Sequence, residues 1–171
     1  NPISKIDFDN VIQKLKSIGF IIETTNDYSL KISSEYIDKN TGATKLSNVR
    51  VEVNGINDIQ KYCSTNSLND NNISPRFTQK QYAVVNNTPI YPVNIDDYNM
   101  RVSYQTEKDI KPYSPFAENI KSSWKDSKKT FRYINRVRLR HPVYPIFLDV
   151  SIVKGSTKKN RKVPIPQFTI Q

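Results

Sequence analysis

The chain has 171 residues, with 26 Lys and Arg against 16 Asp and Glu, a formal net charge of +10 and one cysteine. This length suits a single domain spanning residues 1–171, and a lone Cys63 excludes both an intramolecular disulfide and a cysteine-built zinc site, as expected in a reducing compartment. The positive surplus favours phosphate-rich partners over cationic ones, and no apolar run approaches the ~20 residues a bilayer span requires, so an intracellular protein with no membrane partner is expected.

From the N-terminus, Phe8, Val11, Ile12, Leu15 and Ile18 recur at helical spacing, with Asp7 as a cap and Gly19 as a stop. The spacing predicts a helix over 7–18. Residues 20–24 and 28–36 read as strands, and the turn chemistry of Lys39-Asn40-Thr41-Gly42 leads to a third over 46–53. One or two helical turns are expected over 56–62, then an Asn-rich mobile loop over 64–75. Further strands are expected over 82–85, 99–107, 129–140 and 146–154, with a short helix over 117–125. The connection at 141–145 is short enough to make the last two strands antiparallel neighbours. Residues 155–162 form a basic loop, and 163–171, with Pro164 and Pro166, make at most an edge strand. The fold class is therefore α+β and mainly antiparallel, with a few short helices.

Alternation divides each strand into two faces, whatever the fold. Val49, Val51 and Val53 oppose Arg50, Glu52 and Asn54; Val102 and Tyr104 oppose Arg101, Ser103, Gln105 and Glu107. Phe131, Tyr133, Val137 and Leu139 oppose Arg132, Ile134, Arg136, Arg138 and Arg140, and Leu148, Val150 and Ile152 oppose Asp149, Ser151 and Val153. One sheet face is thus apolar and the other mixes arginines with acids. Charged solvent faces are ordinary, but arginine dominates here, and the guanidinium fork grips phosphate oxygens in pairs. Carboxylates among such arginines would repel phosphate unless they hold a bridging divalent metal.

Other features point to structure. Lys154-Gly155-Ser156-Thr157 lacks the upstream glycine of a phosphate loop and reads as a basic loop; His141, the sole histidine, belongs to a turn. Cys63 reads as a small buried hydrophobe, and most of the Tyr and Phe residues, although able to stack on bases, fall on apolar strand faces and read as core.

Three stretches carry a family resemblance: Arg101-Val102-Ser103-Tyr104-Gln105-Thr106-Glu107, Phe131-Arg132-Tyr133-Ile134-Asn135-Arg136-Val137-Arg138 and Asp149-Val150-Ser151-Ile152-Val153-Lys154. A fourth is Val49-Arg50-Val51-Glu52-Val53-Asn54-Gly55 followed by Ile59-Gln60-Lys61-Tyr62-Cys63. They resemble the metal-dependent RNA 5′-triphosphatase domain of the mRNA capping enzymes of large DNA viruses, relatives of the fungal tunnel enzymes. The resemblance implies a tunnel-like, closed or partly closed antiparallel barrel with charged residues inward and apolar faces packed on flanking helices. It implies that Glu52 and Glu107 hold Mg²⁺ or Mn²⁺, that Glu52, Glu107 and Asp149 are catalytic acids, and that Arg50, Arg101, Arg132, Arg136, Arg138 and Arg140 bind phosphate. The implied activity is removal of the γ-phosphate from 5′-triphosphate RNA in cap formation, within a longer capping protein that includes or meets guanylyltransferase and methyltransferase domains or subunits, in the host cytoplasm, at a viral factory, or in the virion. The chain departs from the family twice. Arg50 stands where the first acid of a Glu-x-Glu strand belongs, and no second Glu-x-Glu strand follows Lys154. Metal affinity grows with carboxylate number, so a non-catalytic RNA-binding or scaffold domain of the same architecture is the alternative.

Overall fold

A serine cap starts the first helix: in α1 (Lys5–Ser17) the Asp7 amide donates to Ser4 Oγ at 3.1 Å, so Ser4 takes the capping role assigned to Asp7. The structure is a computed structural model that describes residues 3–37, 41–69, 73–98, 100–156 and 167–170. The turn expected around Lys39 and Asn40, most of the loop after Lys154, and residues 70–72 of the Asn-rich loop lie outside the described residues.

The two strands expected over 20–24 and 28–36 are one, β1 (Ile21–Ile37). Asn26 adopts a left-handed φ of 57°, and the pairing slips register between Ile22 and Thr24 and again between Thr24 and Asp27, so the polar run is absorbed as an irregularity instead of a turn. Then follow β2 (Thr44–Asn54), α2 (Ile56–Thr65), which is longer than expected and closes on a left-handed Asn66, and β3 (Arg76–Tyr82). The last was hidden in the sequence because Phe77 is its only aliphatic or aromatic residue before Tyr82. Short strands β4 (Val84–Val85) and β5 (Thr88–Pro89) pair with each other, as do β6 (Val93–Ile95) and β7 (Met100–Val102). The strand expected over 99–107 is split at Ser103 and Tyr104: β7 leaves the main sheet, while β8 (Gln105–Ile110) joins it. The chain continues through α3 (Pro115–Ser122), β9 (Lys129–Arg140), β10 (Phe147–Ser156) and β11 (Gln167–Ile170).

The main sheet has seven strands in the order β11, β10, β9, β1, β2, β3, β8, every neighbouring pair antiparallel. β9 and β10 are antiparallel neighbours as expected, and β11 is an edge strand. The other edge is β8. Because the two edge strands do not pair with each other, the sheet is open and no barrel closes among the described residues.

Among the described residues, helices cover one face of the sheet. Leu30, Ile32, Val49, Val51, Val53 and Phe77 pack against Ile59 and Tyr62 of α2, Ala117 of α3, and Trp124. A second cluster joins Phe8, Ile12 and Leu15 of α1 to Leu139 and Val150. Trp124 and Phe77 are almost wholly buried, and removing such side chains from water contributes roughly 1.5–3 kcal/mol each or more. These clusters take the apolar face and leave the arginine face outside them. The buried aromatic core is small: among the described residues only Phe8, Tyr62, Phe77 and Trp124 are buried, whereas Tyr82, Tyr91, Tyr104, Tyr113, Tyr144 and Phe147 are exposed, against the expectation that most aromatics are core. Cys63 is exposed as well, on the outer side of α2. No described helix is long and apolar enough to cross a membrane.

Candidate anion-binding face

Residues directly opposite each other in an antiparallel ladder share a face, so the register assembles the site row by row. Lys31 of β1 lies between Arg132 of β9 and Glu52 of β2, and Glu52 is followed by Arg76 of β3. The next row is Thr130, Ser33, Arg50, Thr78 and Asp109. In the other direction lie Ser29, Ile134 and Val153, then Asp27, Arg136 and Ser151, then Thr24, Arg138 and Asp149, and finally Ile21, Arg140 and Phe147. Ile134 and Val153 are a buried apolar pair within this face, and Ile21 and Phe147 are exposed apolar side chains at its end.

Lys31 is the centre of this face. Its ammonium stands 3.5 Å from Glu52 Oε1, and the same oxygen receives Arg50 Nη1 at 3.4 Å. Burial pushes the Lys31 ammonium below its ordinary value; Glu52 opposes that, while Arg50, Arg136 and Lys80 add to it. Burial, with Arg50 nearby, lowers Arg132 in the same way. Cations are crowded here beyond what Glu52 neutralises.

Glu107, Asp149 and Asp109 are each held by a cation, Asp109 by Arg76. Glu107 accepts from Lys80 at 2.6 Å, and that hydrogen bond, helped by the charges of Lys80, Arg50 and Lys31, holds its carboxyl below the usual range. Asp149 accepts two hydrogen bonds from Arg138, from Nε at 2.7 Å and Nη2 at 2.8 Å, and lies 3.2 Å from Arg136 Nη1. Its carboxyl is lowered first by the Arg138 hydrogen bonds and then by Arg136. The Nε of Arg136 is buried and has no hydrogen-bond partner among the described residues. A buried donor left in this state costs free energy that an incoming acceptor recovers.

Of the residues singled out from the sequence, Arg50, Glu52, Arg132, Arg136, Arg138, Arg140 and Asp149 share the main-sheet face. Glu107 joins them through Lys80, on the edge strand β8. Arg101 does not: it pairs with Asn94 in the separate β6–β7 sheet and is exposed, because the chain rejoins the main sheet only at Gln105. Sequence reading missed Lys31 and Lys80. Lys31 was legible in principle from the alternation of Ser29, Lys31 and Ser33 against Leu30 and Ile32, whereas Lys80 lies in the strand that carried no apolar signal.

Glu52 and Glu107 stand as two separately ion-paired carboxylates, and among the described residues no group of three or more His, Cys, Asp or Glu is placed to hold a metal ion. Mg²⁺ takes six oxygen ligands, of which waters and substrate phosphates supply most beside one or two carboxylates; here both candidate carboxylates are already paired with cations. What the arrangement does offer is a row of cations, with Lys31, Arg50, Arg136 and Arg138 half-buried and Arg132 and Arg140 exposed, in which Arg136 Nε is unpartnered among the described residues. His141 plays a structural part: its Nδ1 accepts the amides of Val143 and Tyr144, and its ring meets those of Phe20 and Tyr144. Fold and site together define an open antiparallel sheet with helices on one face and a cationic, arginine-rich other face. Comparison with family models, curated proteins and solved structures finds no match to this chain.

Proposed function

We propose that the polar face of this sheet receives the 5′-triphosphate end of an RNA, with Lys31, Arg50, Arg132 and Arg136 as its phosphate ligands. One observation carries this reading: Lys31, Arg50 and Arg132 crowd into neighbouring ladder positions with a single carboxylate, Glu52, among them, so that burial and neighbouring positive charge push both Lys31 and Arg132 down, while Arg136, held by Asp149, adds its charge to Lys31 from further along the face. A polyphosphate is the ligand whose charge relieves that repulsion, and arginine suits its oxygens in pairs. Perturbed cations gathered on one face are a mark of a functional site.

A second reading adds the RNA 5′-triphosphatase step of cap formation, with Mg²⁺ or Mn²⁺. It is favoured by the placing of Glu52 and Glu107 in one electrostatic neighbourhood, since Arg50 and Lys31 act on both. On that reading the open sheet is a wall of a tunnel-like architecture, the chain belongs to a viral capping protein, and guanylyltransferase and methyltransferase modules are its partners. Phosphoryl transfer depends on positioning and charge neutralisation, which the cationic row supplies.

The test compares binding of 5′-triphosphate and 5′-hydroxyl RNA of one sequence, alongside phosphate release from γ-labelled RNA with Mg²⁺ or Mn²⁺ and with chelator. Preference for the triphosphate end, lost in Arg132→Ala, is the expected result. Equal binding of both ends, or of neither, overturns the proposal. Metal-dependent release that disappears in Glu107→Ala establishes the second reading, and binding without release rejects it for this chain.

A further inference from the structure

The cationic face continues along β9 to a row beyond the triphosphate ligands. Arg140 stands between Ile21 of β1 and Phe147 of β10, and all three point to the same side as Arg136 and Arg138. Ile21 is 47% exposed and Phe147 52%, so two large apolar side chains flank Arg140 with part of their surface open to a ligand. The Arg138 guanidinium lies 5.8 Å from the centre of the Phe147 ring, while its nitrogens donate to Asp149. The ring is thus braced on one side by a cation and open on the other. Among the described residues Arg140 has no ion-pair partner.

Resting on the reading of the face as a site for triphosphate-ended RNA, we propose that Phe147 is a stacking platform for a nucleobase of that RNA, with Arg140 binding the adjacent phosphate. Continuity and charge both support it. The row lies on the same face and along the same strand as Arg132, Arg136 and Arg138, eight residues of β9 beyond Arg132, or roughly 27 Å at extended strand rise. A chain held at the Lys31 end by its triphosphate is drawn along this line of guanidinium groups. An exposed ring flanked by arginines is what unpaired bases stack upon, since every base has a π-face and the stack is indifferent to sequence. A polyanion whose charges recur along its length, with flat apolar groups between them, matches the alternation of Arg138, Phe147 and Arg140. RNA is therefore held at two points: its phosphorylated end near Lys31, and a base further along at Phe147.

The experiment separates this inference from the reading beneath it by using three probes: inorganic tripolyphosphate, a 5′-triphosphate oligoribonucleotide, and an abasic oligomer with the same phosphates. Phe147→Ala is expected to weaken the oligoribonucleotide roughly five- to a hundredfold while leaving tripolyphosphate and the abasic oligomer unchanged. Phe147→Leu loses the same factor, because it keeps apolar bulk without a π-face, and Phe147→Trp restores binding. Trp124 emission, from the chain's only tryptophan, verifies that the Ala and Leu variants are folded, and circular dichroism does so for Phe147→Trp, which adds a second indole. Equal affinities of wild type and Phe147→Ala for the oligoribonucleotide overturn the proposal, even where tripolyphosphate still binds through Lys31. A loss shared equally by all three probes overturns it too, since that marks a general disturbance of the cationic face. If no probe binds the wild type, the underlying reading fails and this one falls with it.

Discussion

Lys31 stands opposite Glu52 across the β1–β2 ladder, its ammonium 3.5 Å from the carboxylate, while Arg132 faces it from β9. One acid therefore serves two cations, since Arg50 reaches the same oxygen. The fold retains more positive charge here than it neutralises, and the consequences for stability and for binding have opposite signs.

Lys31→Met is expected to leave the urea midpoint unchanged or raise it, while weakening polyphosphate binding tenfold or more. Glu52 keeps Arg50 as its partner, and the replaced ammonium was held unfavourably. The fold lowers the Lys31 pKa from 10.5, so the unfolded chain binds this proton more tightly, and wild-type stability rises as pH climbs from the lowered value towards 10.5. In Lys31→Met that part of the alkaline rise disappears. A midpoint that falls by more than 1 M urea would show that Lys31 is structural instead.

Glu52→Gln should act the other way. It leaves Lys31 and Arg50 without their shared carboxylate and costs about 1–3 kcal/mol of stability, read by urea unfolding. Tripolyphosphate binds the variant more tightly in metal-free buffer, because the carboxylate in contact with Lys31 and Arg50 is gone. Weaker binding in the presence of chelator contradicts this account.

Asp149 governs the acid side. Its folded pKa lies below the usual carboxylate value because Arg138 and Arg136 hold the charged form, so its contribution is present above about pH 4 and is lost as pH falls through the lowered value. Asp149→Asn lowers stability at neutral pH by about 1–3 kcal/mol and flattens the acid limb of the stability profile. An acid limb identical to that of wild type would remove Asp149 from the explanation.

Binding of triphosphate RNA should weaken linearly with the logarithm of salt concentration. For a single strand the slope becomes shallower by about 0.7 for each phosphate ligand removed, as in Arg132→Ala. Arg101→Ala is the internal control. Exposed on the β6–β7 sheet, it is expected to change stability by no more than about 0.5 kcal/mol and to leave both affinity and salt slope as they were. A matched loss in the two variants would return Arg101 to the site from which the fold separates it.

Trp124→Ala tests the other face. The ring is 2% exposed and meets Tyr62 edge-on at 6.3 Å, so its removal costs about 3–5 kcal/mol. Thermal unfolding followed by circular dichroism measures the change. A loss below 1 kcal/mol would mean that the cluster beneath α2 and α3 does not hold the sheet.

Strand alternation alone determined which side chains of β2, β9 and β10 share a face, because the period of two needs no knowledge of neighbours. Val49, Val51 and Val53 are buried as that period requires, and Arg132, Arg136 and Arg138 fall together opposite Tyr133 and Val137. The net charge of +10 likewise sets, without any fold, the expectation of an anionic partner. Only the tertiary structure decided which strands adjoin. The long β1, broken on paper by Asn26 and Asp27, runs between β9 and β2 and so delivers Lys31 to Arg132 and Glu52, residues separated from it by 101 and 21 positions. The same pairing sets β3, almost without apolar signal, beside β2 and brings Lys80 to Glu107, while a break at Ser103 carries Arg101 away. Local periodicity specifies a side chain's face; its neighbours on that face depend on strand order and register, which are set by the burial of Ile32, Val51 and Phe77 together under α2 and Trp124.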